Sequence, residues 1–438
     1  MPTGARLKGD TLKLEVYVIM KKLLIIISSA YPYRKSEDYL SNETAYISNF
    51  DEVICFPTTV YGEKGQKDII NYPIPPQYIK IYNSKHSYKQ NLISCLYFIL
   101  THKFFFNELL TIIHNPQKLL AKSKALLRMT LQAVHSYLDI KKIIVQNNLE
   151  KKYDIYLYSY WMANTAVTAV LLNKNSKIKY KKVFTRCHRF DIYEEATETN
   201  YIPYRNYILK NIERIYAISI DAKIYLEKKY PLLTQNKIRV SRLGTFNYGI
   251  NISEKEENIL RIVSCSWLRP VKRVHLIFDA LNNLNIPIEW THFGDGEEMS
   301  KLQQKQQNLK NKQLSIKFQG HVTNQEILDS YLKEKYNIFI NVSESEGVPV
   351  SIMEAMSFGK VIIATNVGGT SEIVINDKNG YLLDKNFKLN ELEDAIMTIY
   401  RMDNSEYKEM CNASRLIWEK RCDAIQNYKS FYQDIFEK

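Results

Sequence analysis

Glu346 and Glu354 stand eight residues apart in ESEGVPVSIMEAMSFGK (344–360), one ahead of a turn and one inside the segment that follows it. Pro349, with its fixed φ and no N–H, suits the first turn of a helix. Val350, Ile352, Met353, Ala355, Met356 and Phe358 supply an apolar face at helical spacing, and Gly359 closes that helix before the apolar run VIIAT (361–365). A helix start presents unpaired N–H groups and the positive end of a dipole, which together attract phosphate. Carboxylates beside it accept hydrogen bonds from sugar hydroxyls. A ligand that joins a phosphate to a polyol, the chemistry of a nucleotide sugar, fits this segment. Ser351 and Glu354 also have the spacing of a capping box, in which Glu354 would only satisfy a backbone N–H; taken alone, these residues leave both readings standing.

Such a site needs sheets behind it. Strand-like apolar runs alternate with helical patterns along the chain, which predicts α/β units with parallel sheets. The runs are LLIII (23–27), VICF (53–56), IYLYSY (155–160), VFTRC (183–187), IYAIS (215–219), RIVSCS (261–266), IEWTHF (288–293), IFINV (338–342) and VIIAT (361–365). At 438 residues the chain exceeds what one hydrophobic core usually supports, so two domains are expected. The polar, Gly-containing stretch GTFNYGINISEKEEN (244–258) is the natural linker. The divisions expected are an extension over 1–19 with Met20 as the start of the fold, a first domain over 20–243, a second over 259–409, and a long helix over 410–438. TRCHRFDIYEE (185–195) gathers Arg186, His188, Arg189 and Asp191 at the carboxyl end of a strand, where open α/β sheets bind ligands. Cys187 should point the opposite way from its strand neighbours. It has no base partner besides His188 and is not read as a nucleophile.

The segment 344–369, ESEGVPVSIMEAMSFGKVIIATNVGG, together with the following T-S-E-I, closely resembles the E-x7-E element of family 4 glycosyltransferases. These are retaining enzymes of the GT-B fold, the group 1 type found in cell-surface polysaccharide synthesis. The resemblance spans nearly all of residues 20–438. It implies two Rossmann-like domains facing a cleft and a C-terminal helix that crosses back to the first. It implies further that Glu346 contacts the donor sugar, Glu354 holds the nucleotide ribose, and Gly347 and Val348 lend N–H groups to the donor. Strand SCSW (264–267) leading into LRPVKRVHLIFDAL resembles the family's diphosphate-binding strand, loop and helix, with Lys272 at its lysine. Where many members carry an arginine five residues earlier, this chain has Trp267, so Arg269 or Arg273 would supply the second charge. FGDG (293–296) resembles the family's Gly-Asp-Gly turn, giving Gly294 a donor-side backbone role, and GHVTNQEILDSYL (320–332) its base-lining element. TRCHRFD resembles R-x-H-x-x-D, which makes His188 the residue facing the donor sugar and Arg186 and Asp191 acceptor-side candidates. The segment 32–57 resembles the acceptor-side opening loop, with Glu43 as a possible contact, but it lacks the paired glycines many members place there.

What is absent also discriminates. No Asp is followed two residues later by Asp, and neither G-x-x-x-x-G-K-[ST] nor H-E-x-x-H occurs, so neither a metal nor a cofactor is expected. Six scattered cysteines without C-x-x-C suit a reducing compartment. Most of the +13 formal charge is local: residues 80–142 hold ten Lys or Arg against Glu108 and Asp139. LISCLYFIL (92–100), FFF (104–106) and Leu119, Leu120, Leu127, Leu131 and Val134 lie within the same window. Basic helices of this kind rest on an anionic membrane surface, or their apolar faces pack inward and the lysines are solvated. No nucleic-acid motif accompanies the charge. The longest apolar run is nine residues, short of the roughly twenty a span needs.

The expectation is therefore a cytoplasmic hexosyltransferase-type enzyme that moves a sugar from a nucleotide-sugar donor to a glycan or lipid-linked glycan, peripheral at the cytoplasmic face of the inner membrane, in capsule or lipopolysaccharide synthesis. A noncatalytic nucleotide-sugar-binding subunit and a GT-B sugar-nucleotide epimerase are the alternatives.

Overall fold

A computed structural model describes residues 20–33, 37–47, 49–61, 79–252, 254–256 and 259–437. The expected extension over 1–19 lies outside the described residues. Two all-parallel sheets dominate. The first has the order β3-β2-β1-β4-β5-β6-β7 and the second β10-β9-β8-β11-β12-β13. Their strands are β1 Lys21–Ser28, β2 Glu52–Pro57, β3 Ile79–Ile81, β4 Tyr153–Ser159, β5 Lys182–Cys187, β6 Arg214–Ala217, β7 Ile238–Val240, β8 Leu260–Cys265, β9 Ile288–Phe293, β10 Leu314–Phe318, β11 Ile338–Asn341, β12 Val361–Thr365 and β13 Gly380–Leu383. Each sheet reverses its order beside its first strand, at β1 and at β8, the crevice where such sheets bind ligands.

The run LLIII is continuous because β1 is covered on both faces. Leu23, Ile25 and Ile27 enter one core cluster with the helix Leu119–Gln146, whereas Leu24 and Ile26 enter another with Phe431 and Tyr432. All nine apolar runs named above are strands. The four they omit, β3, β7, β10 and β13, are the outer strands of the two sheets.

The C-terminal segment is two helices, Asn404–Arg421 and Ala424–Asp434, and not one long helix. The linker causes the break. The Thr245 N–H donates to Cys422 O (2.9 Å) and Thr245 O accepts from the Ala424 N–H (3.1 Å), so the linker intrudes on the helical ladder. Asp423 restarts it by accepting from the Gln426 N–H, and the indole of fully buried Trp418 donates to Thr245 Oγ1 (2.8 Å). Past the break, Phe431, Tyr432 and Ile435 pack on Tyr158, Phe184 and Tyr216 of the first sheet, so the chain does cross back.

Candidate functional site in the cleft between the sheets

Glu346 sits on the loop between β11 and the helix Val350–Ser357. That helix is anchored by buried Ile352, Met353, Ala355 and Met356, and the loop is tied down from three sides. Thr365 Oγ1 donates to Ser343 O (2.5 Å). Arg273 donates through Nε to Val342 O (2.7 Å), through Nη2 to Ser343 O (3.2 Å) and through Nη1 to Lys385 O (2.7 Å). The Gly369 N–H donates to Gly347 O at 2.6 Å. Gly368, at φ +54°, lies so close that a Cβ would stand 2.2 Å from Glu346 O, which explains why the backbone here needs glycine.

Lys272 follows β8 on a short 3-10 turn, Pro270–Lys272. Its Nζ meets Glu346 Oε1 at 2.5 Å, with side chains 24% and 12% exposed, and Asn341 Nδ2 lies 3.5 Å from the same oxygen. The N–H groups of Gly347 and Val348 donate to no partner among the described residues, leaving a positive rim beside the ion pair. Glu354 accepts from Asn324 Nδ2 at 2.8 Å. No capping bond from Ser351 forms, which removes the capping-box reading. Burial lifts the Glu354 carboxyl to about 7, with the Asn324 hydrogen bond opposing.

Of the two arginines considered for the second charge, Arg273 spends its guanidinium on backbone carbonyls. It braces the Glu346 loop. Arg269 is exposed, with its guanidinium 5.9 Å from the Trp267 ring. Trp267 is 55% exposed and stacks on His321 at 5.7 Å. Gly294, at φ +132°, packs where a Cβ would stand 1.9 Å from Ser266 O, so its role is to let the ends of β8 and β9 meet.

Across the cleft, His188 ends β5 with its ring 4.8 Å from Tyr160 and 4.4 Å from Trp161. Neither ring nitrogen has a partner among the described residues, and burial, with Arg186 nearby, holds the ring well below the usual imidazole range, hence neutral. Asp191 does not reach toward an acceptor. It is buried, accepting from the His188 N–H (2.5 Å) and the Met162 N–H (2.6 Å), and burial pushes it up to about 7. It therefore positions the His188 loop. Arg186 and Glu43 are likewise corrected: both side chains are 0% exposed and 3.5 Å apart. Arg186 lies 4.3 Å from the Phe431 ring and Tyr432 Oη donates to Glu43 (3.1 Å). This pair is sealed beneath the returning helix. Cys187 faces the core, as expected.

Two residues join the units: Arg189, which the sequence placed in the His188 cluster without a role of its own, and Glu372, which it did not single out. Arg189 crosses the cleft to Ser345 Oγ (3.0 and 2.7 Å). Glu372 pairs with Arg242 (2.8 Å) and accepts from the Ile220 and Asp221 N–H groups at a helix start. Their positions, one beside His188 and one inside the VGGTSEI run, were the available signals. Between the units opens a cleft of about 560 Å³ lined by Arg189, Tyr193, Asp221, Ser345, Glu346 and Gly368, among others.

Comparison with known proteins places this geometry. Residues 250–416 match the family described as glycosyl transferases group 1. An uncharacterised glycosyltransferase of Methanocaldococcus jannaschii is 29% identical over 52% of this chain and 62% of its own length. The N-acetyl-alpha-D-glucosaminyl L-malate synthase of Bacillus anthracis is 26% identical over 52% of this chain and 54% of its own. The chain thus spans little more than half the length of these curated relatives. In fold it is similar to a lipopolysaccharide outer core galactosyltransferase (TM-score 0.66, 15% identity, 95% of this chain and 99% of that one). It is similar also to Anabaena HepE solved with UDP (0.64, 16%, 94% and 99%). The family match falls on the second sheet unit, β8 to β13, and the two parallel sheets are arranged as in the two-domain GT-B fold.

Proposed function

We propose that the protein transfers a hexosyl unit from a nucleotide-sugar donor to a hydroxyl of a glycan or lipid-linked glycan, with retention of configuration, in the cytoplasm and in surface polysaccharide synthesis. The observation that carries this reading is the Lys272–Glu346 pair beside the free N–H groups of Gly347 and Val348. One carboxylate is placed to accept from sugar hydroxyls, and an ammonium and two amides to take up charge on a departing diphosphate. The acceptor hydroxyl then attacks from the face the diphosphate leaves, passing its proton to the leaving phosphate, so no nucleophilic carboxylate is needed. His188, buried, neutral and with neither ring nitrogen hydrogen-bonded among the described residues, suits hydrogen bonding to the sugar rather than proton transfer. The UDP bound to HepE supports a nucleotide-sugar donor.

A panel of nucleotide sugars scored by thermal shift tests this directly. A ligand present at about 100 times its Kd adds roughly 2.7 kcal/mol to stability, a clear rise in Tm. The ligand that binds should then turn over with a glycan acceptor. Binding without turnover on any acceptor would favour the noncatalytic reading, whose motive is Trp267 at the usual arginine position.

Two further outcomes are expected. Among the described residues no group of three or more His, Cys, Asp or Glu side chains is placed to hold a metal ion, and turnover should persist in excess chelator; loss restored by manganese would contradict a metal-independent donor site. Glu354, lifted to about 7 by burial, is largely neutral below that pH. A ribose hydroxyl donating to it favours the charged form, so donor binding should expel a proton. Affinity should rise from about pH 6 to about pH 8, by at most about tenfold per unit below 7. Calorimetry in two buffers of different ionisation enthalpy reads the proton release, and Glu354→Gln should abolish both effects.

A further inference from the structure

Helices of soluble proteins normally turn their apolar side inward and a polar side to water. The helices Leu92–Thr101 and Phe104–Ile113 do not. Cys95, Phe98 and Ile99 of the first are buried in the core of the first unit. Its opposite face nevertheless presents Ile93 (86% exposed), Leu96, Tyr97 (72%) and Leu100 (70%). The second buries Ile112 and exposes Phe106, Leu110 and Ile113. Leu119, Leu120 (87%) and Leu127 extend the same character into the helix Leu119–Gln146. Twelve of the twenty-two large hydrophobic side chains exposed among the described residues fall between residues 92 and 145. That concentration makes a patch, not the ordinary scatter of surface leucines.

The charge that the segment 80–142 itself contributes is almost all of one sign. Lys85, Lys89, Lys103, Lys124, Arg128 and Lys142 are exposed. The only two acids of the segment are occupied: Glu108 is buried and held by Tyr201 Oη and the Tyr204 N–H, and Asp139 faces His135 at 3.7 Å. A second copy would set this basic face against itself. An anionic lipid surface satisfies both the charge and the apolar side chains. Among the described residues no single helix is long and apolar enough to span, and the two short helices meet at a 78° bend. Ten residues reach about 15 Å, half of the roughly 30 Å hydrocarbon layer, so they lie in the headgroup region.

We propose that the helices Leu92–Thr101 and Phe104–Ile113, with the start of Leu119–Gln146, form a docking surface that inserts Ile93, Leu96, Tyr97, Leu100 and Leu120 into the outer layer of an anionic membrane, the basic side chains contacting lipid headgroups. The surface belongs to the first unit, and none of its residues lines the cleft. The inference does not rest on the transferase reading, because its test reads lipid binding and not turnover.

The full chain should sediment with vesicles of phosphatidylcholine containing phosphatidylglycerol, and not with phosphatidylcholine alone. Added salt should weaken the binding, because exposed charges are screened within about 10 Å at 0.1 M. The triple variant Ile93→Ser, Tyr97→Ser, Leu100→Ser should bind at least tenfold more weakly with an unchanged Tm, since these side chains are exposed. Lys89→Gln, Lys103→Gln, Lys124→Gln and Arg128→Gln together should do the same. Lys118 and Lys122 are left intact because they bond Glu198 O and Asn115 O within the fold. Trp emission of a Leu100→Trp variant should shift blue on anionic vesicles. Failure of the wild type to sediment, equal binding of the variants, or a concentration-dependent dimer lost in the triple variant without vesicle binding would each overturn the proposal, the last in favour of an interface between copies.

Discussion

Replacing Lys272 with alanine is expected to lower turnover by about 100- to 1,000-fold, the usual effect of removing one preorganised group from a site of developing charge. The diphosphate gains negative charge as the glycosidic bond breaks, and among the described residues Lys272 is the cation paired with Glu346 in the cleft-facing loop. Arg273 cannot substitute, because its guanidinium is committed to the carbonyls of Val342, Ser343 and Lys385. The fold should survive, since a half-open ion pair of this kind contributes roughly 1 kcal/mol or less. Binding of a nucleoside diphosphate should weaken far more than binding of the nucleoside alone, which calorimetry resolves. If Arg269 supplies the second charge, Arg269→Ala should produce the same selective loss on a smaller scale. Wild-type turnover in Lys272→Ala would remove the diphosphate role.

Glu346→Ala is expected to cut turnover at least tenfold, because buried sugar hydroxyls left without an acceptor cost roughly 1 to 3 kcal/mol. The Lys272–Glu346 contact adds a sharper expectation. With no carboxylate at 2.5 Å, the ammonium of Lys272 is released from its pair. A nucleoside diphosphate lacking the sugar should then bind as well as before or more tightly, while the complete donor binds more weakly. Opposite signs for the two ligands separate loss of a sugar contact from general damage to the loop. Equal weakening of both would place Glu346 in a purely structural role.

Much of this candidate site was legible in the sequence. Glu346, Glu354, Lys272 and His188 each lie in a segment whose residue order resembles a known element; His188, Lys272 and Glu346 follow the carboxyl ends of strands, and Glu354 lies in the helix after β11. What those segments could not disclose is how they meet. Lys272 and Glu346 are 74 residues apart in the chain, and their pairing follows from β8 and β11 being neighbours. The choice between Arg269 and Arg273 was open because both flank the lysine. The structure shows which guanidinium has carbonyls within reach: that of Arg273 bonds Val342 O, Ser343 O and Lys385 O, a placement that depends on β11 and on the loop after β13.

The misplaced residues were read as open to the cleft because charged side chains near the carboxyl end of a strand mark a binding site in an open sheet. Burial is a property of what packs on top: Arg186 and Glu43 are covered by the helix Ala424–Asp434, more than 200 residues beyond Arg186 in the chain, and Asp191 is taken up by the N–H groups of His188 and Met162. The same long-range contact explains the split C-terminal helix: Thr245 of the linker breaks its ladder, and no local propensity records that partner. The edge strands were missed for a related reason. An outer strand such as Ile79–Ile81 or Ile238–Val240 pairs on one side only and carries too short an apolar run to stand out.

The sequence by itself determined the alternation of strand and helix, the two sheets, and the Glu346 and Lys272 segments, because periodicity, turn residues and motif order are local properties. Only the tertiary structure decided which charges face solvent, which neutralise one another in the core, and which apolar helix faces remain uncovered. Burial and pairing are set by contacts between residues far apart in the chain, and no local pattern carries them.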